Sequence, residues 1–154
     1  RETIMNRLDF KLVSITPPAA ISDNATLTTA EIDTLGWSEL TIIVYEGATD
    51  IAMAALSVTQ SDSAGSGHAA ITGLVWGTST NIDGTTSALP SATDDNLFQV
   101  AQIDLKGKKR YIDVTATTGD GAAGSFVTIL GILTRPQVSP TSASEAGANE
   151  ILRA

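Results

Sequence analysis

The chain has 154 residues, 42% of them hydrophobic and only 17% charged, with 17 acidic against 9 basic side chains and a formal net charge of -8. That length fits one domain able to bury roughly two-thirds of its unfolded surface, and the absence of cysteine excludes disulfide scaffolds, Cys-ligated metals and thiol catalysis. The acidic balance repels phosphate backbones and argues against nucleic-acid binding. No stretch reaches the roughly 18 consecutive apolar residues of a membrane span, and Arg1-Glu2-Thr3-Ile4-Met5 lacks the apolar core of a signal peptide. The first residue is not Met, which leaves processing or a preceding leader open. Thr, Ser, Ala and Gly take the place of charge. They lose little side-chain entropy on burial and suit close packing against another protein.

Residues 1–7 read as an N-terminal arm. Leu8, Phe10 and Leu12 then alternate with Asp9, Lys11 and Val13, the period of a half-buried strand, which Pro17-Pro18 ends by removing two backbone donors. Ser22 to Gly36 is compatible with a strand and one short helical turn. Leu40 to Tyr45 is strongly β-branched, apolar on both faces, and reads as a central strand. After a turn at Gly47 to Asp50, the next segment reads as the second arm of a hairpin, with Ala54, Leu56 and Val58 facing the core and a hydroxyl-rich opposite face.

Ile71 to Trp76 is a further short strand. Gly77 to Asn96 has no periodicity, and a loop of that length inside a compact domain is a binding element or a mobile segment. Leu97 to Leu105 resumes a strand in which Phe98 and Val100 occupy one parity and Ala101, Ile103 and Leu105 the other, a switch that suggests a β-bulge. The turn Lys106-Gly107-Lys108-Lys109 leads into alternating Ile112, Val114 and Ala116, the clearest hairpin in the chain. Phe126 to Leu133 is apolar at both parities and needs cover on both faces. The spacing of seven or eight strands predicts an all-β domain over residues 8–135, a two-sheet jelly-roll-like β-sandwich. Residues 136–154 read as an extended C-terminal arm.

No catalytic pattern emerges. The sole histidine, His68, lies among flexible neighbours in Gly65-Ser66-Gly67-His68-Ala69, and no Gly-x-Ser-x-Gly elbow presents a nucleophile. Asp94-Asp95 has no spaced acidic partner for hydrolysis or cation binding, and Asp83-Gly84 and Asp120-Gly121 are turn chemistry. The sequon Asn24-Ala25-Thr26 is a short pattern common by chance. No metal or other cofactor is expected. Trp37, Trp76 and Tyr45 could form a sugar-stacking platform, which motivates an alternative function as a carbohydrate- or receptor-binding module, although core packing accounts for so few aromatic residues more readily. Lys106, Lys108, Lys109 and Arg110 crowd into one turn and read either as protection of a sheet edge or as a dock for an acidic surface.

Two longer stretches, Glu31-Ile32-Asp33-Thr34-Leu35-Gly36-Trp37 with Leu40 to Val44, and Ile103-Asp104-Leu105-Lys106-Gly107-Lys108-Lys109-Arg110-Tyr111-Ile112, carry a likeness to which Gly77-Thr78-Ser79-Thr80 and Ser87 to Asp95 add. Over Phe10 to Arg135 the chain resembles a small virion structural protein recurrent in tailed-bacteriophage genomes. The resemblance implies a cement or decoration protein on the capsid surface, assembled in the host cytoplasm, that clamps the major capsid protein lattice without catalysis. It further implies a homo-oligomer, with a trimer favoured; the alternative is the binding module of a phage tail or fibre, and the charge and hydropathy already argue against a nucleic-acid or membrane partner. The side chains expected to meet partners are Lys106, Lys108, Lys109, Arg110, Asp94, Asp95, Phe126, Leu130 and Ile132.

Overall fold

The computed structural model describes residues 7–153, so nearly all of the expected N-terminal arm lies outside it. The regular elements of the described chain are eight strands: β1 (Phe10–Thr16), β2 (Ile32–Asp33), β3 (Trp37–Glu46), β4 (Ala55–Ser61), β5 (Ala69–Val75), β6 (Phe98–Asp104), β7 (Tyr111–Thr117) and β8 (Val127–Pro136). They form two four-stranded antiparallel sheets, ordered β1-β8-β3-β6 and β2-β7-β4-β5. The protein is a β-sandwich, as the alternating apolar pattern requires. First pairs with last and so on inward: β1 pairs with β8, β2 with β7, β3 with β6 and β4 with β5. This is the nesting of one long hairpin wrapped over itself.

The nesting corrects two expectations. The segment after Gly47 is not the second arm of a hairpin with β3, because β4 lies in the opposite sheet between β7 and β5. Likewise the Lys-rich turn joins no hairpin. Its incoming strand β6 pairs with β3, whereas its outgoing strand β7 pairs with β4 and β2. Both turns carry the chain across the sandwich, a distance of about 10 Å between facing sheets. Short sequence separation with matched alternation is common to hairpins and to such crossings, so periodicity alone cannot separate them.

A period of two gives each strand an inner face. Leu40, Ile42 and Val44 of β3, Ile129 and Leu133 of β8 and Ile103 of β6 meet Leu56 and Val58 of β4 and Ile112 and Val114 of β7, all with 4% exposure or less. Each large aliphatic side chain so buried contributes about 1.5–3 kcal/mol. Gly131 stands among them on the inner face of β8, where a Cβ would come within 2.8 Å of Ile32 Cδ1. The absence of a side chain there is what admits Ile32, and β2 with it, into the core.

The open reading of Ser22 to Gly36 resolves without a helical turn. This stretch makes isolated bridges, Ser22 to Ser125 and Thr26 to Thr117, before the two-residue β2. The expected bulge in β6 is also absent, since its register with β3 runs unbroken from Tyr45↔Phe98 to Glu39↔Asp104. Its double apolar parity has another cause: β6 is an edge strand whose outer face is itself apolar. Register shifts occur instead at Ser14/Thr16 and Ser57/Thr59.

Beyond β8 the chain does not extend away as an arm. It turns back along the free side of β1, where Leu8 N–H donates to the Pro140 carbonyl and Leu12 N–H to that of Ala146. Ala146 is fully buried, and Glu145 closes the local turn by accepting from the Thr141 amide at 2.7 Å. That backbone hydrogen bond, with a second from the Thr141 hydroxyl, holds the Glu145 carboxyl below the usual range.

Candidate functional site

The outer face of the β1-β8-β3-β6 sheet is built by the residues of opposite parity to the core. Reading across the register, Leu12 faces Ile132, Leu130 faces Ile43, Ile43 faces Val100, and Tyr45 faces Phe98. These residues make one apolar diagonal across the sheet. Tyr45 and Phe98 stack with ring centroids 4.6 Å apart, and Phe126, just before β8, continues the patch by accepting the Gly47 amide on its carbonyl. Phe98, Phe126 and Val100 are 63%, 55% and 50% exposed. Contiguous apolar faces of this kind are uncommon on monomeric proteins.

Three expected contact residues, Phe126, Leu130 and Ile132, therefore share one face. The basic turn divides instead of acting as a unit. Arg110 makes a bidentate pair with Asp33, both contacts at 2.8 Å, and its guanidinium lies 5.1 Å from the centre of the Tyr111 ring. The side-chain hydrogen bond from Arg110 is the main reason the Asp33 carboxyl sits below its usual range. Lys109 pairs with Asp62 at 3.0 Å, and Arg135 pairs with Glu39 at 3.1 Å. Among the described residues, Lys106 and Lys108 make no ion pair.

Asp94 and Asp95 stand at the other end of β6. Asp94 accepts both the amide and the hydroxyl of Ser91 at 2.9 Å, and Asp95 accepts the Thr49 amide at 2.9 Å. They fasten the long loop. The loop itself is held by its own polar groups, chiefly Asn81, whose Oδ1 accepts the Asp83 and Thr85 amides. A groove of about 490 Å³ runs between this loop and β6, lined in part by Trp76, Ile82, Gln99 and Gln102.

The three rings that suggested a sugar platform do not converge. Trp37 and Tyr45 lie at opposite ends of β3, roughly 26 Å apart at strand rise, and Trp76 packs from the other sheet with its Nε1 donating to Gln99 at 3.1 Å. Both tryptophans pack against the core. His68 is tucked beside Glu31: Nε2 lies 2.9 Å from Glu31 Oε2, yet out of line for a hydrogen bond. That Glu31 oxygen accepts the Gly65 amide.

Glu46, which sequence reading passed over, ends β3 with 4% of its surface exposed and accepts the Ser125 hydroxyl at 2.9 Å. Burial pushes its carboxyl above the ordinary range, outweighing the Ser125 hydrogen bond, and the charges of Asp95 and Asp94 push it the same way. Folding therefore favours the protonated form. Its contribution is complete below the unfolded carboxylate value and is lost as pH rises through the raised folded value. Glu46→Gln is expected to melt with the wild type near about pH 4 and above it near about pH 7. Calorimetry at the two pH values checks this, and an equal offset at both would contradict the burial account.

No protein-family model matches the chain, and no curated protein matches it. Among solved structures, the SPBc2 prophage-derived protein YomS is similar over 82% of this chain and 94% of its own, at 16% identity and a TM-score of 0.49. A likeness that distant says nothing of this chain's partners.

Proposed function

We propose that the chain is a non-enzymatic structural protein of a tailed-phage virion, a head cement or decoration protein that binds and stabilises the major capsid protein lattice. The observation that carries this reading is the apolar diagonal from Leu12 to Phe98, with Phe126 at its end, on the outer face of a sheet whose central strands are apolar on both sides. The sequence resemblance to small phage virion proteins supplies the lattice as its partner. On this reading the sandwich is a rigid spacer, and the exposed face gains affinity by burying apolar surface against capsid subunits.

Quantitative mass spectrometry of purified particles from the encoding phage tests the assignment. The chain should be present in a fixed stoichiometric ratio to the major capsid protein, and His68→Ala should leave that ratio unchanged. Particles that contain none of it, or that carry it only on isolated tails, would refute the head assignment.

A further inference from the structure

The two sides of the outer sheet are treated differently by the fold. At one side β1 is covered, the Leu8 amide just before it and its own Leu12 amide bonded to Pro140 and Ala146, and its Ile15 carbonyl to Ala30. At the other side β6 pairs with β3 alone. The Leu105 amide donates to the Ser38 carbonyl, which sets the alternation so that odd-numbered residues of β6 bond to β3. The backbone groups of Phe98, Val100 and Gln102 therefore face outward along the open groove.

Edge strands are ordinarily blunted by lysine, proline, bulges or a covering segment. Strand β6 has no lysine, proline or bulge within Phe98–Asp104, and its register is unbroken. The equivalent edge of the second sheet, β5, is interrupted by a register shift and by Gly73 at a φ of 88°. Compared with β5, β6 presents a straight edge with an apolar outer face, which the long loop flanks across the groove without hydrogen-bonding its outward backbone groups.

We propose that β6 pairs antiparallel with β6 of a second copy about a two-fold axis at Val100, joining the two outer sheets into one continuous sheet. Charge selects this partner and this direction. Acidic Asp94-Asp95 precedes β6 and Lys106 and Lys108 follow it, so antiparallel self-pairing sets the lysines of each copy beside the carboxylates of the other. The pairing also sets Phe98 opposite Gln102 and brings the apolar diagonals of both copies into one surface. The interface is isologous, a dimer in place of the trimer that the resemblance implies, and it holds whether or not the protein is a virion component.

Sedimentation equilibrium of the whole chain over a range of concentrations, with circular dichroism as a fold control, tests the proposal. Wild type should dimerise. Val100→Lys, which opposes two like charges across the axis, should weaken dimerisation at least about tenfold with the β spectrum unchanged. Lys106→Glu with Lys108→Glu should weaken it too, and by less as salt rises. A monomeric wild type, a trimer, or a dimer indifferent to Val100→Lys would overturn it.

Discussion

Leu40→Ala is expected to destabilise the protein by about 2–5 kcal/mol, the largest single effect in the molecule. Leu40 is completely buried, on a strand hydrogen-bonded on both sides, opposite Ile103 of β6 and Leu133 of β8. It also flanks the space left by Gly131, whose notional Cβ would lie 3.3 Å from Leu40 Cδ1. Ile32 and Ile15 already close on that space from the other sides. Backbones fixed by ladder hydrogen bonds cannot collapse into the hole, so a cavity cost adds to the lost transfer energy. For a domain of this length a melting point lower by at least about 5 °C follows. Urea denaturation with an unchanged m-value checks it. A loss under about 1 kcal/mol would mean that the sheets pack loosely at their centre.

Gly147→Ala is expected to release the C-terminal segment while leaving the sandwich folded. Gly147 has a φ of 73°, a region that costs an L-residue about 1–2 kcal/mol. A Cβ there would also collide with the Leu12 carbonyl oxygen. That atom belongs to a strand backbone and cannot swing aside. Relief comes only by giving up the neighbouring Leu12–Ala146 hydrogen bond, worth about another 1 kcal/mol. Limited proteolysis should then cut between Gln137 and Arg153 in the variant and not in the wild type, with circular dichroism preserved. A second unpaired edge at β1 should also make the variant more prone to associate. Equal resistance of both proteins would show that the segment is held by other contacts.

The strands were legible because their alternation is strong: Leu56 and Val58, or Ile112, Val114 and Ala116, announce a buried face without any knowledge of partners. What they pair with was not legible. The Lys-rich turn and the Gly47 turn read as hairpins because a crossing between sheets preserves the same alternation. The apolar parity switch at Phe98 and Val100 read as a bulge, since a sequence does not show whether a strand's outer face is covered. Phe126, Leu130 and Ile132 could be grouped because they share one parity of one strand, whereas their union with Tyr45, Phe98 and Leu12 depends on register between distant segments. The four-residue basic cluster was visible as composition, but its division depends on Asp33 and Asp62, carboxylates far off in the chain. The tail's return over β1 rests on backbone hydrogen bonds and on one glycine of positive φ, neither of which leaves a periodic signal.

The most direct test of the proposal that the protein acts through one face of one sheet is hydroxyl-radical footprinting of the chain free in solution and mixed with particles. Tyr45, Phe126 and Leu12 should lose reactivity on binding, while Ile82 on the long loop and Leu35 at the turn into β3 keep theirs. Protection confined to those two turns, with the apolar diagonal still reactive, would contradict the account.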